Sequence, residues 1–168
     1  MQRRTLLRLG LGAAAVLAVA GGGVALLKPG LKAGHLSEGA RAVMNAVANA
    51  VLEGVLPVEP RQRRAALEAH LGRLDAAIAA FPSPTRAELS QLLALLASAP
   101  GRVALAALTT SWDRASVEEV QSSLQGLRTS SLQLKQQAYH ALRDLTNAAY
   151  FSDPSAWRHM GYPGPDDI

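Results

Sequence analysis

The chain has 168 residues, 49% of them apolar but only 4% aromatic, and it contains no cysteine. That length suits one domain able to bury a real core, which must be built from Leu, Ala and Val; with the strongest helix formers abundant and β-branched residues sparse, the expected class is all-α. The missing Cys excludes disulfides, thiol catalysis and thiolate metal sites, while the net charge of +4 falls to +1 once Arg3, Arg4 and Arg8 are set aside, so the basicity belongs to the N-terminus and does not argue for nucleic acid.

Residues 1–27 have the parts of an export signal. Arginines come first, and an uncharged run rich in Ala and Gly follows from Leu9 to Leu27. The opening RRTLLRLG resembles a twin-arginine translocation signal, with Arg3 and Arg4 as the pair, Leu6 and Leu7 as the apolar positions and Arg8 as the basic one. Gln2 stands where that signal usually has Ser or Thr. Ala18-Val19-Ala20 supplies a small-x-small cleavage site. Left uncleaved, residues 9–27 come close to the roughly 20 apolar residues that span a bilayer. Both readings place the remainder in the periplasm, or on the inner membrane facing it.

Residues 28–36 read as a linker, because Pro29 and Gly30 break any continuation of the leader. Residues 37–151 read as the helical bundle. Ser37 is an N-cap for a first helix facing inward through Val43, Val47, Ala50 and Val51 and ending near Gly54 and Pro57. Pro60 opens the next, whose Leu67, Leu71, Leu74, Ile78 and Phe81 make one apolar stripe; Glu68 stands four residues after Arg64, in pairing position. Ser83 and Pro84 start a third, with Leu89, Leu92, Leu93 and Leu96 inward. Residues 98–101 read as a turn before a short helix over about 101–109.

Ser116 and Glu119 have capping-box spacing ahead of Val117, Val120, Leu124 and Leu127. After a turn at 129–131, a last long helix carries Leu134, Ala138, Leu142, Leu145 and Ala149. No segment alternates long enough to argue for a strand. The expectation is a small bundle of five or six helices.

Chemistry is hard to find. His35, His70, His140 and His159 show no metal-ligand spacing, and neither HExxH nor ExxH occurs; His70 and His140 read as polar-face or boundary residues. GxSxG, GxGxxG and Walker loops are all missing. Glu118 and Glu119 are neighbours that point apart, and Asp166 and Asp167 form a solvated end. Arg61, Arg63 and Arg64 read as a solvated helix face or, alternatively, as a dock for an acidic surface. No catalytic, cofactor-binding or metal-binding residue is expected in this chain.

Residues 152–168 form a Pro- and Gly-rich tail that, with Tyr139, Tyr150 and Phe151 just before it, concentrates five of the seven aromatic residues. Phe151 ends the last helix, Ser152 or Asp153 can cap a new turn at Pro154, and PSAWRHM allows a helical turn or two before Gly161. Tyr162, Pro163, Gly164 and Pro165 then force an extended course with few backbone donors. Such a segment cannot stabilise itself, so its rings must bury against the bundle or a partner, and Trp and Tyr often dominate interfaces.

The stretch NAAYFSDPSAWRHMGYPGP resembles the C-terminal signature of the gluconate 2-dehydrogenase subunit 3 family, through Tyr150, Phe151, Ser152, Pro154, Trp157, Gly161, Tyr162, Gly164 and Pro165. AVANAVLEGVLPVEP is a looser second match. The resemblance implies a non-catalytic small subunit that carries the export signal for a flavoprotein dehydrogenase of the glucose-methanol-choline type. FAD would sit in that large subunit, and a c-type cytochrome often accepts its electrons. The folded-protein route marked by Arg3 and Arg4 suits such a cofactor-loaded partner. Tyr150, Phe151, Trp157, Tyr162, Pro163 and Pro165 would be docking anchors. The alternative is a stand-alone, signal-anchored helical scaffold; an enzyme in its own right would need a titratable constellation that the sequence does not offer.

Overall fold

The computed structural model describes residues 27–157 and Gly161; Arg3, Arg4, Leu6, Leu7 and Arg8, expected to form an export signal, and Tyr162, Pro163 and Pro165 lie outside them. The described residues are mostly helical, as an all-α class requires. In chain order they form β1 (Leu31–Lys32), β2 (His35–Leu36), α1 (Glu38–Val51), α2 (Pro60–Ala79), α3 (Ser83–Ala97), α4 (Ala99–Ala106), α5 (Val117–Arg128), α6 (Gln133–Phe151) and the single turn α7 (Pro154–Trp157). No single helix among them is long and apolar enough to cross a membrane.

α1 is the hub, packed on α2, α3, α5 and α6. Its composition explains that position. Ala40, Val43, Met44, Ala46, Val47, Ala48 and Ala50 are all buried, more of the circumference than a surface helix commits. The small alanines let several neighbours approach its axis, and the larger side chains come from outside: Leu74 and Ile78 from α2, Leu93 and Leu96 from α3, Leu127 from α5 and Leu142 from α6.

The helix starts follow local chemistry. The Ser37 side chain accepts from Ala40 N. Glu59 accepts from the backbone N–H groups of Arg61 and Gln62 ahead of Pro60, and Ser116 and Glu119 close a reciprocal capping box. The residues read as a turn at 98–101 prove to be the start of α4. Ser98 is its N-cap, accepting from Gly101 N at 3.1 Å while donating to Leu95 O at 2.7 Å. That bifunctional hydroxyl lets α3 and α4 meet at a 96° corner with no connecting loop.

The helix ends are sealed from a distance. A C-terminal turn leaves carbonyls without an intrahelical donor, and several of them receive side chains from other elements. Trp112 Nε1 donates to Leu96 O at the end of α3, and Ser123 Oγ to Ala106 O at the end of α4. Gln121 Nε2 donates to Ala50 O of α1, and Arg73 Nε to Ala149 O of α6. These contacts lock the inter-helix packing into one arrangement, because each donor reaches its carbonyl only when both helices are in place.

Residues 28–36 are not a bare spacer. They contain an antiparallel hairpin pairing Leu31 with Leu36 and Lys32 with His35, around a two-residue turn with positive φ at both Ala33 and Gly34, the hand that matches strand twist. Gly30 N and Leu31 N donate to the backbone and side-chain oxygens of Ser90 on α3. Leu36 N donates to Asp75 on α2, whose other oxygen accepts from Arg41. Two-residue strands carry no periodicity, which is why alternation did not announce them. Arg41 also takes Glu68 at 2.7 Å, so Glu68 pairs across to α1 and not with Arg64 on its own helix.

Candidate docking surface at the end of the last helix

Tyr150 and Phe151 close α6, and the chain reverses into α7 through Ser152 and Asp153. The reversal is built locally. Asp153 N donates to Tyr150 O, and Asp153 Oδ1 accepts from Ser155 N at 2.9 Å, capping a turn whose first residue is Pro154. Hydrogen bonds from Ser155 hold the Asp153 carboxyl below its usual range, with Arg73 adding a smaller push in the same direction.

Arg73 of α2 fixes this junction to the bundle. Its Nε donates to Ala149 O at 2.9 Å and its other arm reaches Asp153 at 3.2 Å, so one guanidinium spans the end of α6 and the start of α7. Beneath it, Tyr150, Ala156, Ala48, Leu52, Leu56 and Leu67 form a satellite apolar cluster beside the main core. Tyr150 is buried there, and burial raises its phenol pKa.

The aromatic residues expected to act together are thus divided. The Tyr150 ring faces its own bundle. Phe151 stands edge-on to it at 5.2 Å and is among the more exposed large apolar side chains. Trp157, half-buried, donates Nε1 to Phe151 O at 2.8 Å and so folds back over the end of α6. Phe151 is thus exposed at the end of α6, with Trp157 tied to its carbonyl, on a junction that Arg73 and Asp153 hold to the bundle. Tyr162, Pro163 and Pro165 fall outside the described residues.

Arg73 is the member that sequence reasoning missed, while Asp153 was expected as a cap but not as the partner of Arg73. Nothing local to Arg73 tells that its partner lies 80 positions away. The other candidate cations also divide. Arg63 is held by Asn49 and Glu53, while Arg61 and Arg64 are exposed.

Two further features bear on chemistry. An open groove of about 270 Å³ lies between α4, α5 and the start of α6, lined by Leu105, Leu108, Ser122, Gly126, Leu127 and Lys135 among others. Its one carboxylate, Glu119, is already occupied by Ser116 N and Thr110 Oγ1, which together hold its pKa down. The second feature is His70. It is not a boundary residue: it is fully buried, and neither ring nitrogen has a hydrogen-bond partner. Burial, reinforced by Arg73, lowers its pKa to about 4. Among the described residues no group of three His, Asp or Glu side chains is placed to hold a metal ion. His140 lies on the surface, edge-on to Tyr139 at 5.3 Å.

No family model, curated protein or solved structure matches the chain.

Proposed function

We propose that this chain is the non-catalytic small subunit of a periplasmic FAD-dependent dehydrogenase of the glucose-methanol-choline type, assisting its maturation and carrying it through the twin-arginine translocase. The observation that carries the reading is the C-terminal signature from Tyr150 to Pro165, of which the described residues include Phe151 and Trp157 on a braced junction at one end of the bundle. An exposed Phe151 on a junction braced by Arg73 and Asp153 is suited to docking, because little conformational freedom is left to lose on association. FAD belongs to the large subunit in this reading, a c-type cytochrome would take its electrons, and the leader at Arg3, Arg4, Leu6, Leu7 and Arg8 serves both chains.

Affinity capture of the tagged chain from its native host, followed by an absorption spectrum, is the direct test: a co-purifying large chain with flavin bands supports the proposal and a colourless monomer refutes it. Arg3→Lys with Arg4→Lys is expected to hold both chains in the cytoplasm, read by fractionation; export of the large chain alone would end the co-export reading. Trp157→Ala is expected to lower recovery of the flavoprotein about tenfold or more while costing the isolated bundle only about 1 kcal/mol, since the ring is half-buried and covers a helix end. A loss of about 3 kcal/mol or more, the scale of a core aromatic, would make Trp157 a core residue and remove it from the dock.

The burial of Tyr150 and Ala156 in the bundle favours a second reading, in which the tail seals a stand-alone periplasmic scaffold held in the inner membrane by residues 9–27. The same capture separates the two.

A further inference from the structure

Among the described residues, the two ring nitrogens of His70 are the only buried side-chain polar atoms without a hydrogen-bond partner. Buried polar groups are ordinarily satisfied, and this ring is fully enclosed. Its position on α2 is specific. At roughly 100° per residue, Leu67, Leu71, Leu74 and Ile78 fall on one stripe, Arg73 falls well to one side, and His70 lies between them. Arg73 is the side chain that crosses to Ala149 O and Asp153. Leu67, one turn before His70, belongs to the satellite cluster with Tyr150 and Ala156. His70 is therefore set on the flank of α2 that meets the α6–α7 junction.

The charges on that flank oppose a proton on the ring. Among the described residues Arg73 is the charge that acts on His70, and no carboxylate offsets it. From the junction, Asp153 is already taken by Arg73 and Ser155 N, and Tyr150 brings a buried phenol that carries no charge in acid. α1 contributes Ala48, and the α1–α2 connection Leu52 and Leu56, none of which titrates. A protonated His70 would thus be a second cation beside a guanidinium, with nothing to receive it. Such a charge is relieved by reaching water through the packing that gives way most readily. The main core draws on every helix from α1 to α6, whereas the satellite cluster is small and α7 is a single turn.

We infer that His70 makes the α6–α7 junction an acid-opened latch: a proton on the enclosed ring lifts the junction, with Tyr150 and the Arg73 clamp, off α2 while the main core stays closed. The latch belongs to the bundle itself and does not depend on the docking role proposed above; where the junction is a dock, the same opening unseats Phe151 and Trp157. The sign follows from proton binding. The closed ring takes its proton near 4 and the opened ring near the ordinary 6.5, so the open form binds more protons and gains as pH falls. Across that interval the opening equilibrium rises about tenfold per pH unit, roughly 300-fold in all, and above it the equilibrium is level.

Hydrogen exchange of the full-length chain between about pH 4.5 and about pH 7, corrected for the intrinsic rate at each pH, tests this without a substitution. The amides of Ser152, Asp153 and Ala156, bonded to Ala148 O, Tyr150 O and Asp153 O, read the junction, and the amides of α1 read the core. Junction opening is expected to rise about tenfold per pH unit towards acid and to run ahead of α1 throughout. In His70→Leu the rise is expected to vanish, with the junction still protected. Tryptophan emission gives a second reading, since the chain's two tryptophans divide between core and junction. In Trp112→Phe, Trp157 is expected to shift to the red at a pH where Trp112 in Trp157→Phe has not moved. Junction amides that exchange only together with those of α1, or that open equally at every pH, would overturn the latch. An acid response that survives in His70→Leu and disappears in Asp153→Asn would assign it to the carboxylate and overturn the role of His70.

Discussion

Replacing His70 by Leu is expected to stabilise the bundle, and to do so most in acid. The unfolded chain takes up a proton on this ring near the ordinary value of 6.5, the folded chain only near 4. Between those values the unfolded state holds more protons, so stability rises with pH from about 4 to about 6.5 and is level above that. At roughly 1.4 kcal/mol per pH unit the full swing is about 3 kcal/mol, of which about 2 kcal/mol is felt at pH 5. Leu removes this dependence, and removing two unpaired ring nitrogens is expected to add about 1–3 kcal/mol at neutral pH. Asp153 acts in the same sense at lower pH, its depressed pKa giving stability that fades as acid reaches it. Urea melts at about pH 5 and about pH 7.5 are the check. Wild-type stability that is level across that range would mean that the ring finds a partner in solution.

The largest loss is expected from Gly101→Ala. A Cβ there would stand 2.1 Å from Leu95 O and 2.7 Å from Ser98 Oγ, inside the corner that joins α3 to α4. Backbone must shift, and the Ser98 cap must break with it. Overpacking at a site that cannot yield costs about 3 kcal/mol, which for a chain of this size lowers the melting temperature by roughly 6–12 °C. Gly72→Ala, in an open stretch of α2 with nothing within 4 Å, is the matched control. It should gain up to about 1 kcal/mol, since Ala is the better helix former. Equal behaviour of the two variants in a thermal melt would contradict the tight corner.

What was legible in the sequence was local. The Ser116–Glu119 box, Pro60 at a helix start and the Leu67 to Ile78 stripe each depend on residues a few positions apart, and each is found in place. The turn from Phe151 through Asp153 to Pro154 was legible for the same reason. The helix-start chemistry at Ser98 was local too, but a Ser-Ala-Pro-Gly run looks the same in a turn as in a cap, and only the 96° corner decides. His70 was misread because periodicity shows which side of α2 is apolar, not how far its neighbours extend around it. Glu68 went to Arg41, 27 residues away, and Arg73 to Asp153, because ion pairs follow packing and not spacing. The candidate surface was therefore half visible: its rings could be named, but not the burial of Tyr150 or the clamp that holds the others.

The two sets of long-range contacts at the edges of the described chain also bear on the order of assembly. Gly30 and Leu31 close on Ser90, and Leu36 on Asp75, while Ala149 and Asp153 close on Arg73. Both ends are thus fastened to the second and third helices, across 39 to 80 positions of sequence. Contacts of such separation are made only after the intervening chain has been brought together. The hairpin at residues 31–36 and the junction between α6 and α7 are therefore expected to settle last, when the helices between them are already packed. With both edges of the described chain seated, the helices between them have finished folding, which is the state that the proposed twin-arginine export would require of this chain.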